Sequence, residues 1–287
     1  MNRRILLTGA GGIVGQTWQE VWRRSMPAGQ WLALTHRELD IADREAVNRT
    51  VAEFKPDVIV NAAAYTRVDD AETDREAAYR ANVTGPELLA RAARDHGAIL
   101  LHYSTDYVFD GTKRQPYREE DPAHPINYYG LTKWIGEEKI RQITPAHFII
   151  RTAWVYGAYG HNFIRLVLQL AARHDTLRFV NDQTGSPTAA ADLVAFSQFL
   201  LENPWAAFGT YHCSHEGEVT RYDQAKAIVD YLQLPVKILP VPSSAFPQTA
   251  RRPAYSVLSK NKIRKIYHWP VKHWKQALEQ TLEKHYK

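Results

Sequence analysis

The chain has 287 residues, 45% of them apolar and 23% charged, which is enough to bury a substantial core in one domain or two closely joined lobes and which excludes disorder. Its 36 basic and 31 acidic side chains leave a formal charge of +5 with no basic run, a balance that argues against nucleic-acid binding. No apolar run reaches the roughly 18 residues that span a bilayer, and a single cysteine, Cys213, excludes an intrachain disulfide and agrees with a reducing, cytoplasmic setting.

From the N-terminus, residues 4–8 form a short apolar run that reads as a buried strand. It leads into Gly9-Ala10-Gly11-Gly12-Ile13-Val14-Gly15 and then into an amphipathic segment through Arg24. Arg3-Arg4 ahead of this stretch imitates a signal peptide, but the glycines belong to the turn and no small-residue cleavage site follows. Glycines let such a turn tighten and let the backbone approach a pyrophosphate, while the helix N-terminus offers unpaired N–H groups and a partial positive charge. A dinucleotide is the natural occupant, with an ordinary loop as the alternative, since the spacing of Gly9, Gly12 and Gly15 is G-x-x-G-x-x-G and not the commoner fingerprint. Trp18 and Trp22, four apart, read as a core-facing stripe on the first helix.

The second strand, over 31–35, ends in His36-Arg37, where many NAD-binding units carry an acidic residue. A cation there accommodates a 2′-phosphate better than a bare ribose diol, so NADPH is favoured over NADH, against the alternative that Arg37 is only solvated. Helix-like 43–54, strand-like 57–62, helix-like 74–95 and strand-like 98–103 continue a βαβ rhythm. A helix over 129–140 and a buried strand over 148–155 follow, after which Pro187, Pro235, Pro240, Pro242, Pro247 and Pro253 mark a less regular region. The expected fold is α/β, a Rossmann-type doubly wound parallel sheet with a smaller C-terminal substrate-binding lobe. The dinucleotide unit is expected over 1–155, with returns near 160–175 and 189–214, and the lobe mainly over 176–188 and 215–287. The basic segment 274–287 reads as a docked surface helix in preference to one lying on a membrane.

The chemistry concentrates at Ser104-Thr105-Asp106-Tyr107, where the apolar strand ends, and at Tyr129-Gly130-Leu131-Thr132-Lys133. Strand ends are where open α/β sheets hold ligands. On a helix, Tyr129 and Lys133 at i and i+4 emerge from one face, and an ammonium beside a phenol favours its ionised form, moving it toward the useful range. Tyr128 offers a competing register, but its i+4 neighbour, Thr132, carries no charge. His212, Cys213 and His215 are set aside as metal ligands, because successive strand residues face opposite ways and no second ligand cluster lies at zinc-like spacing. Glu119-Glu120-Asp121 before Pro122 reads as a solvated loop with a positional role.

These motifs resemble the extended short-chain dehydrogenase/reductases, and within them the dTDP-4-dehydrorhamnose reductase family, over nearly the whole chain. The matching stretches include Thr8 to Gly15, Leu39-Asp40-Ile41, Asn61 to Thr66, Asn82-Val83, Ser104 to Gly111, Asn127 to Lys133, Arg151 to Gly157, Asn181-Asp182-Gln183 and Arg252-Pro253. The resemblance implies Thr105, Tyr129 and Lys133 as the catalytic triad. It implies a cofactor site of Gly9, Gly12, Ile13, Val14, Gly15, Arg37, Asp40, Ile41, Ala62, Ala63, Ala64 and Asn82, together with Tyr129 and Lys133. It implies contacts of Thr105, Asp106, Tyr107, Tyr129, Trp154, Gln183 and Arg252 with a nucleotide sugar. The implied reaction is NAD(P)H-dependent reduction of a 4-keto group, with reduction of another nucleotide-linked 4-ketosugar or a non-catalytic regulatory subunit as alternatives. Related 4,6-dehydratases have a glutamate where this chain has Tyr107, and a phenol cannot perform that residue's proton removal. Gln16 and Thr17 stand where some relatives carry metal-bridging glutamates, so a monomer or weak homodimer without metal is expected.

Overall fold

The computed structural model describes residues 3–27, 29–203 and 205–287. Its strands, in chain order, are β1 (Ile5–Thr8), β2 (Trp31–Leu34), β3 (Val58–Asn61), β4 (Ile99–Thr105), β5 (His147–Thr152), β6 (Val155–Tyr156), β7 (Thr176–Val180), β8 (Thr184–Gly185), β9 (Thr188–Ala189), β10 (Gly209–His212), β11 (Val219–Thr220) and β12 (Lys237–Val241). Helices α1 (Ile13–Ser25), α2 (Arg44–Phe54), α3 (Arg75–Tyr79), α4 (Gly85–His96) and α5 (Tyr128–Ile143) alternate with the first five strands. The later helices are α6 (Phe163–Ala171), α7 (Ala190–Glu202), α8 (Arg221–Leu232), α9 (Asn261–Tyr267) and α10 (Trp274–His285).

Six strands form one sheet in the order β2-β1-β3-β4-β5-β10, and every neighbouring pair is parallel. The alternation of strand side chains divides the apolar residues between two layers. Ile5, Leu7, Val58, Val60, Leu101, Tyr103, Phe148 and Ile150 face α1 and α7, where Trp18, Trp22, Leu193 and Phe196 pack. Leu6, Ile59, Leu100 and Ile149 face the opposite side, against Val47 and Val51 of α2, Leu89 and Ala93 of α4, and Ile140 of α5. The tryptophan stripe is therefore core: the two rings lie 4.8 Å apart, and Trp18 Nε1 donates to the Tyr103 hydroxyl at 2.8 Å.

The chain runs from β1 outward to β2 and then returns to β3 on the other side of β1, which opens a crevice at the carboxyl ends of β1 and β3. A smaller lobe stands over it. There, β7 and β12 pair in parallel, and α8 and α10 pack on them through Ala225, Ile228, Ala277, Leu278 and Leu282. The docked C-terminal helix is thus observed. Helix α6 differs from its assignment: Ile164 and Val167 pack in the core of this lobe and not against the large sheet. The helix expected over 74–95 also divides, because a five-residue π-helical stretch, Arg80–Thr84, separates α3 from α4. Its Asn82 is fully buried, accepting from Tyr65 N at 2.9 Å and donating to Tyr65 O and Thr132 Oγ1, each at 3.1 Å.

Two glycines on α5 set how closely it approaches its neighbours. A Cβ at Gly130 would run into the Tyr107 carbonyl oxygen, and one at Gly136 into the Asn82 carbonyl oxygen. Asn127 caps the helix, accepting from Gly130 N at 2.7 Å and donating to Arg251 O at 2.8 Å. Gly130→Ala is expected to lower stability by about 1–3 kcal/mol, the range for overpacking a close contact, read as an earlier urea midpoint with an unchanged slope.

Candidate active site

The crevice is lined first by the glycine turn. Gly9 has φ +72°, and a Cβ there would clash with the Ala62-Ala63 backbone, while one at Gly15 would clash with Gly9 O. These two glycines let the ends of β1, β3 and α1 close on one another. Gly11 and Gly12 are different: a Cβ would meet nothing nearer than 3.8 and 3.5 Å. They leave a cradle at the start of α1, where Gly12 is the N-cap without a side-chain cap and the first turn holds no acidic residue. Backbone N–H groups of Ile13, Val14 and Gly15 belong to that uncapped turn, the arrangement that suits a pyrophosphate. Ala62 and Ala63 stand half-buried and Ala64 exposed at the end of β3.

A cavity of about 380 Å³ continues from this turn, lined by residues that include Ala10, Gln16, Arg23, Thr35 and Glu38. Arg37, between Thr35 and Glu38 in the chain, is exposed. The sequence reading found no acidic residue here, yet Glu38 stands at the end of β2, where its carboxylate accepts from Thr35 N at 2.8 Å and Thr35 Oγ1 at 2.7 Å. Those bonds stabilise the carboxylate and hold its pKa below the usual carboxylate value. Asp40 is engaged with Arg80 at 3.0 Å and with Ala42 N at 2.9 Å, and Ile41 is buried against Gly85.

Thr105 ends β4, and the approach permitted by Gly130 brings the first turn of α5 over it. The Thr105 hydroxyl accepts from Tyr107 N and meets Asp106 Oδ1, both at 3.1 Å. Tyr129 stands half-buried at this point, its ring edge-on to Tyr107 with centroids 5.9 Å apart. Lys133 does not offset the burial of this phenol. Burial raises Tyr129 above the ordinary tyrosine value, Asp106 and Tyr107 push the same way, and the opposing influence is the Thr105 hydroxyl. Lys133 is instead engaged below the crevice, donating to Tyr103 O at 2.6 Å and lying 3.1 Å from His102 Nε2. Burial brings the Lys133 ammonium down to about 8, with Glu137 favouring the charge.

A second cluster surrounds Thr105, drawn from the end of β4 and from the smaller lobe. Asp106 is 2% exposed and burial pushes its carboxyl up to about 6. Arg252 clamps Asp69 through two nitrogens, at 2.6 and 2.5 Å, and lies beside the Tyr107 hydroxyl. Trp154 adopts φ +49°, and Gly185 makes room for its ring, where a Cβ would come within 2.8 Å. Arg221, at the start of α8, stacks on that indole at 3.8 Å, and burial lowers its guanidinium to about 10. The site therefore carries two guanidinium groups, and the sequence indicated only Arg252. Gln183 is half-buried on the approach to β8 and hydrogen-bonds none of these side chains.

The floor of the site is a buried ion pair that the sequence reading did not single out. Arg151 of β5 donates to both Glu137 oxygens, at 3.0 and 2.7 Å, and Arg141 adds a further bond at 2.6 Å. The set-aside residues have ordinary partners: His212 Nδ1 lies 3.1 Å from Tyr117 O, His215 Nε2 accepts from Ala189 N at 3.0 Å, and Glu119 accepts from His212 N at 2.9 Å.

The sheet order, the glycine turn and the Thr-Tyr-Lys grouping define an extended short-chain dehydrogenase/reductase. A family model described as "RmlD substrate binding domain" matches residues 3–287. The chain is 41% identical over 281 residues to the spore coat polysaccharide biosynthesis protein SpsK of Bacillus subtilis, covering 98% of this chain and 97% of that one. It is 38% identical over 288 residues to a dTDP-4-dehydrorhamnose reductase of Aggregatibacter actinomycetemcomitans, covering 96% and 97%. A crystal structure of dTDP-4-dehydrorhamnose reductase from Bacillus anthracis in complex with NADP superposes with a TM-score of 0.94 at 35% identity, covering 99% of this chain and 100% of that one. The chain belongs to the dTDP-4-dehydrorhamnose reductase family.

Glu137→Gln leaves Arg151 without its charge partner in the interior and is expected to cost about 3–5 kcal/mol, measured by chemical denaturation. The neighbours of Glu137 hold its carboxyl at about 2, below its unfolded value. Its contribution is therefore complete at neutral pH and is lost as pH falls from about 4 towards 2; an acid-unfolding series should show that loss flattened in the variant.

Proposed function

We propose that this protein reduces the 4-keto group of dTDP-4-dehydro-L-rhamnose to give dTDP-L-rhamnose, using NADPH and accepting NADH. The observation that carries the reading is the meeting of Thr105 and Tyr129 at the carboxyl end of β4, with Lys133 beneath them. The uncapped start of α1 and the cradle at Gly11 and Gly12 fit a dinucleotide pyrophosphate, with Ala62 to Ala64 along the crevice wall. When bound there, the dihydronicotinamide supplies a hydride to the ketone carbon.

Tyr129 supplies the proton. A phenol raised by burial is protonated at neutral pH, which is the state that a carbonyl reduction needs at its outset. Thr105 hydrogen-bonds the same oxygen and so aligns it with the phenol. Lys133 favours the phenolate left after proton transfer and binds the nicotinamide ribose, so its loss affects binding and chemistry together. On the opposite wall, Tyr107, Trp154 and Arg252 hold the nucleotide sugar, and the dinucleotide and sugar are divided between the large sheet and the smaller lobe. Tyr107 offers no carboxylate for the proton removal of a dehydration. Gln16, which is tied to Gly11 O at 2.8 Å, fits a monomer or weak homodimer without a metal bridge.

Tyr129→Phe is expected to cut turnover by about 10²-fold or more, the low end of general acid catalysis. The assay is loss of NADPH absorbance with purified protein and dTDP-4-dehydrorhamnose, and near-normal turnover in the variant would reject the assignment. Arg37→Ala should raise the KM for NADPH by about tenfold, the worth of one charge-assisted bond, with the KM for NADH nearly unchanged.

A further inference from the structure

A run of buried side chains passes beneath the crevice from β1 to α5. Thr8 Oγ1 donates to Asn61 Oδ1 at 2.8 Å, and Ala63 N donates to the same oxygen at 3.1 Å. Asn61 Nδ2 lies 2.9 Å from His102 Nδ1, and His102 Nε2 lies 3.1 Å from Lys133 Nζ. Thr8 and Asn61 are each 1% exposed, His102 is 0% exposed and Lys133 is 2% exposed, so the run is sealed from solvent.

The protons in this run can be placed one by one. A backbone N–H only donates, so the Ala63 contact fixes the Asn61 oxygen on that side and turns its NH₂ toward His102. That NH₂ donates, so His102 Nδ1 must offer a lone pair. An imidazolium would set one donor against another at Nδ1 and is excluded. The neutral ring therefore carries its proton on Nε2, the nitrogen that faces Lys133. An N–H pointing at Nζ is complementary to an amine with a free pair and repels an ammonium.

We infer that His102 is a positioning residue for the reduction, set by Asn61 so that its Nε2–H is aimed at Lys133 and the contact favours the amine form of that lysine. The inference rests on the proposed reductase reading and deepens it. Burial acts in the same direction on Lys133. Glu137, one turn along α5, favours the ammonium, while burial first and then Lys133, His147 and Arg141 keep the His102 ring neutral. Lys133 thus changes charge near pH 8, and activity that needs the ammonium beside Tyr129 declines as pH rises through that value.

Two measurements test this. In the wild-type protein labelled with ¹⁵N-histidine, His102, assigned by the loss of its signals in His102→Gln, should show an unprotonated Nδ1 and a protonated Nε2. The opposite tautomer would overturn the inference, and this readout does not depend on which ketone the enzyme reduces. In Asn61→Asp, a carboxylate accepts from Nδ1–H and reverses the ring, leaving Nε2 to accept from the ammonium. The alkaline limb of kcat should then move up by about one pH unit or more, with the KM for NADPH changed less than about twofold. An unmoved limb in folded Asn61→Asp would overturn the inference. Should that variant fail to fold, the wild-type tautomer decides alone.

Discussion

Helix α5 rests its backbone on the turn that follows β4, and a hydrogen atom in place of a side chain at residue 130 is what allows it. The chemistry depends on that approach. Counting along the helix by fours from its first turn gives Tyr129, Lys133, Glu137 and Arg141, one continuous polar face turned toward the sheet. Each member meets a different strand-borne partner in turn: the Thr105 end of β4, then His102 and the Tyr103 carbonyl within it, then Arg151 of β5, then Thr210 of β10. The ion pair at the deep end fixes the helix rotation, and the phenol at the shallow end receives its position from it. A side chain at 130 would move all four at once.

The same face explains why the site holds its reactive groups in unequal states. Desolvation acts on every group, but the partners differ. Glu137 has two guanidinium groups and stays ionised, whereas Lys133 has a carbonyl and a neutral ring and loses much of its hold on its proton. Tyr129 has a hydroxyl and two acidic neighbours and keeps its own. Charge is therefore concentrated where it is structural and withheld where a proton must move.

Local features were the legible ones. The glycine turn, the strand carrying Thr105 and the spacing of Tyr129 and Lys133 all lie within short windows, and the alternation of Leu6 with Ile5 and Leu7 is a property of consecutive residues. What escaped depends on partners far along the chain. The break at Arg80–Thr84 follows from Asn82 bonding Tyr65, 17 positions away, and nothing in the run 74–95 announces it. His102 is hidden in an apolar strand because its partners come from β3 and α5. The phenol's direction of shift was misread because two side chains four apart on a helix need not point at each other when one of them has a better acceptor beneath it. The assignment of α6 failed for a similar reason: its apolar stripe fits either lobe, and the choice belongs to β7 and α8.

The clamp of Arg252 on Asp69 joins groups 183 positions apart, and the smaller lobe is closed by a helix that ends at His285. A chain growing from its N-terminus makes Asp69 and the first five strands well before β10, which completes the large sheet, and before Arg252, which completes the clamp. Closure of that clamp must then be among the last events of folding, and it is the contact that a truncation or a slow final phase would leave unfinished.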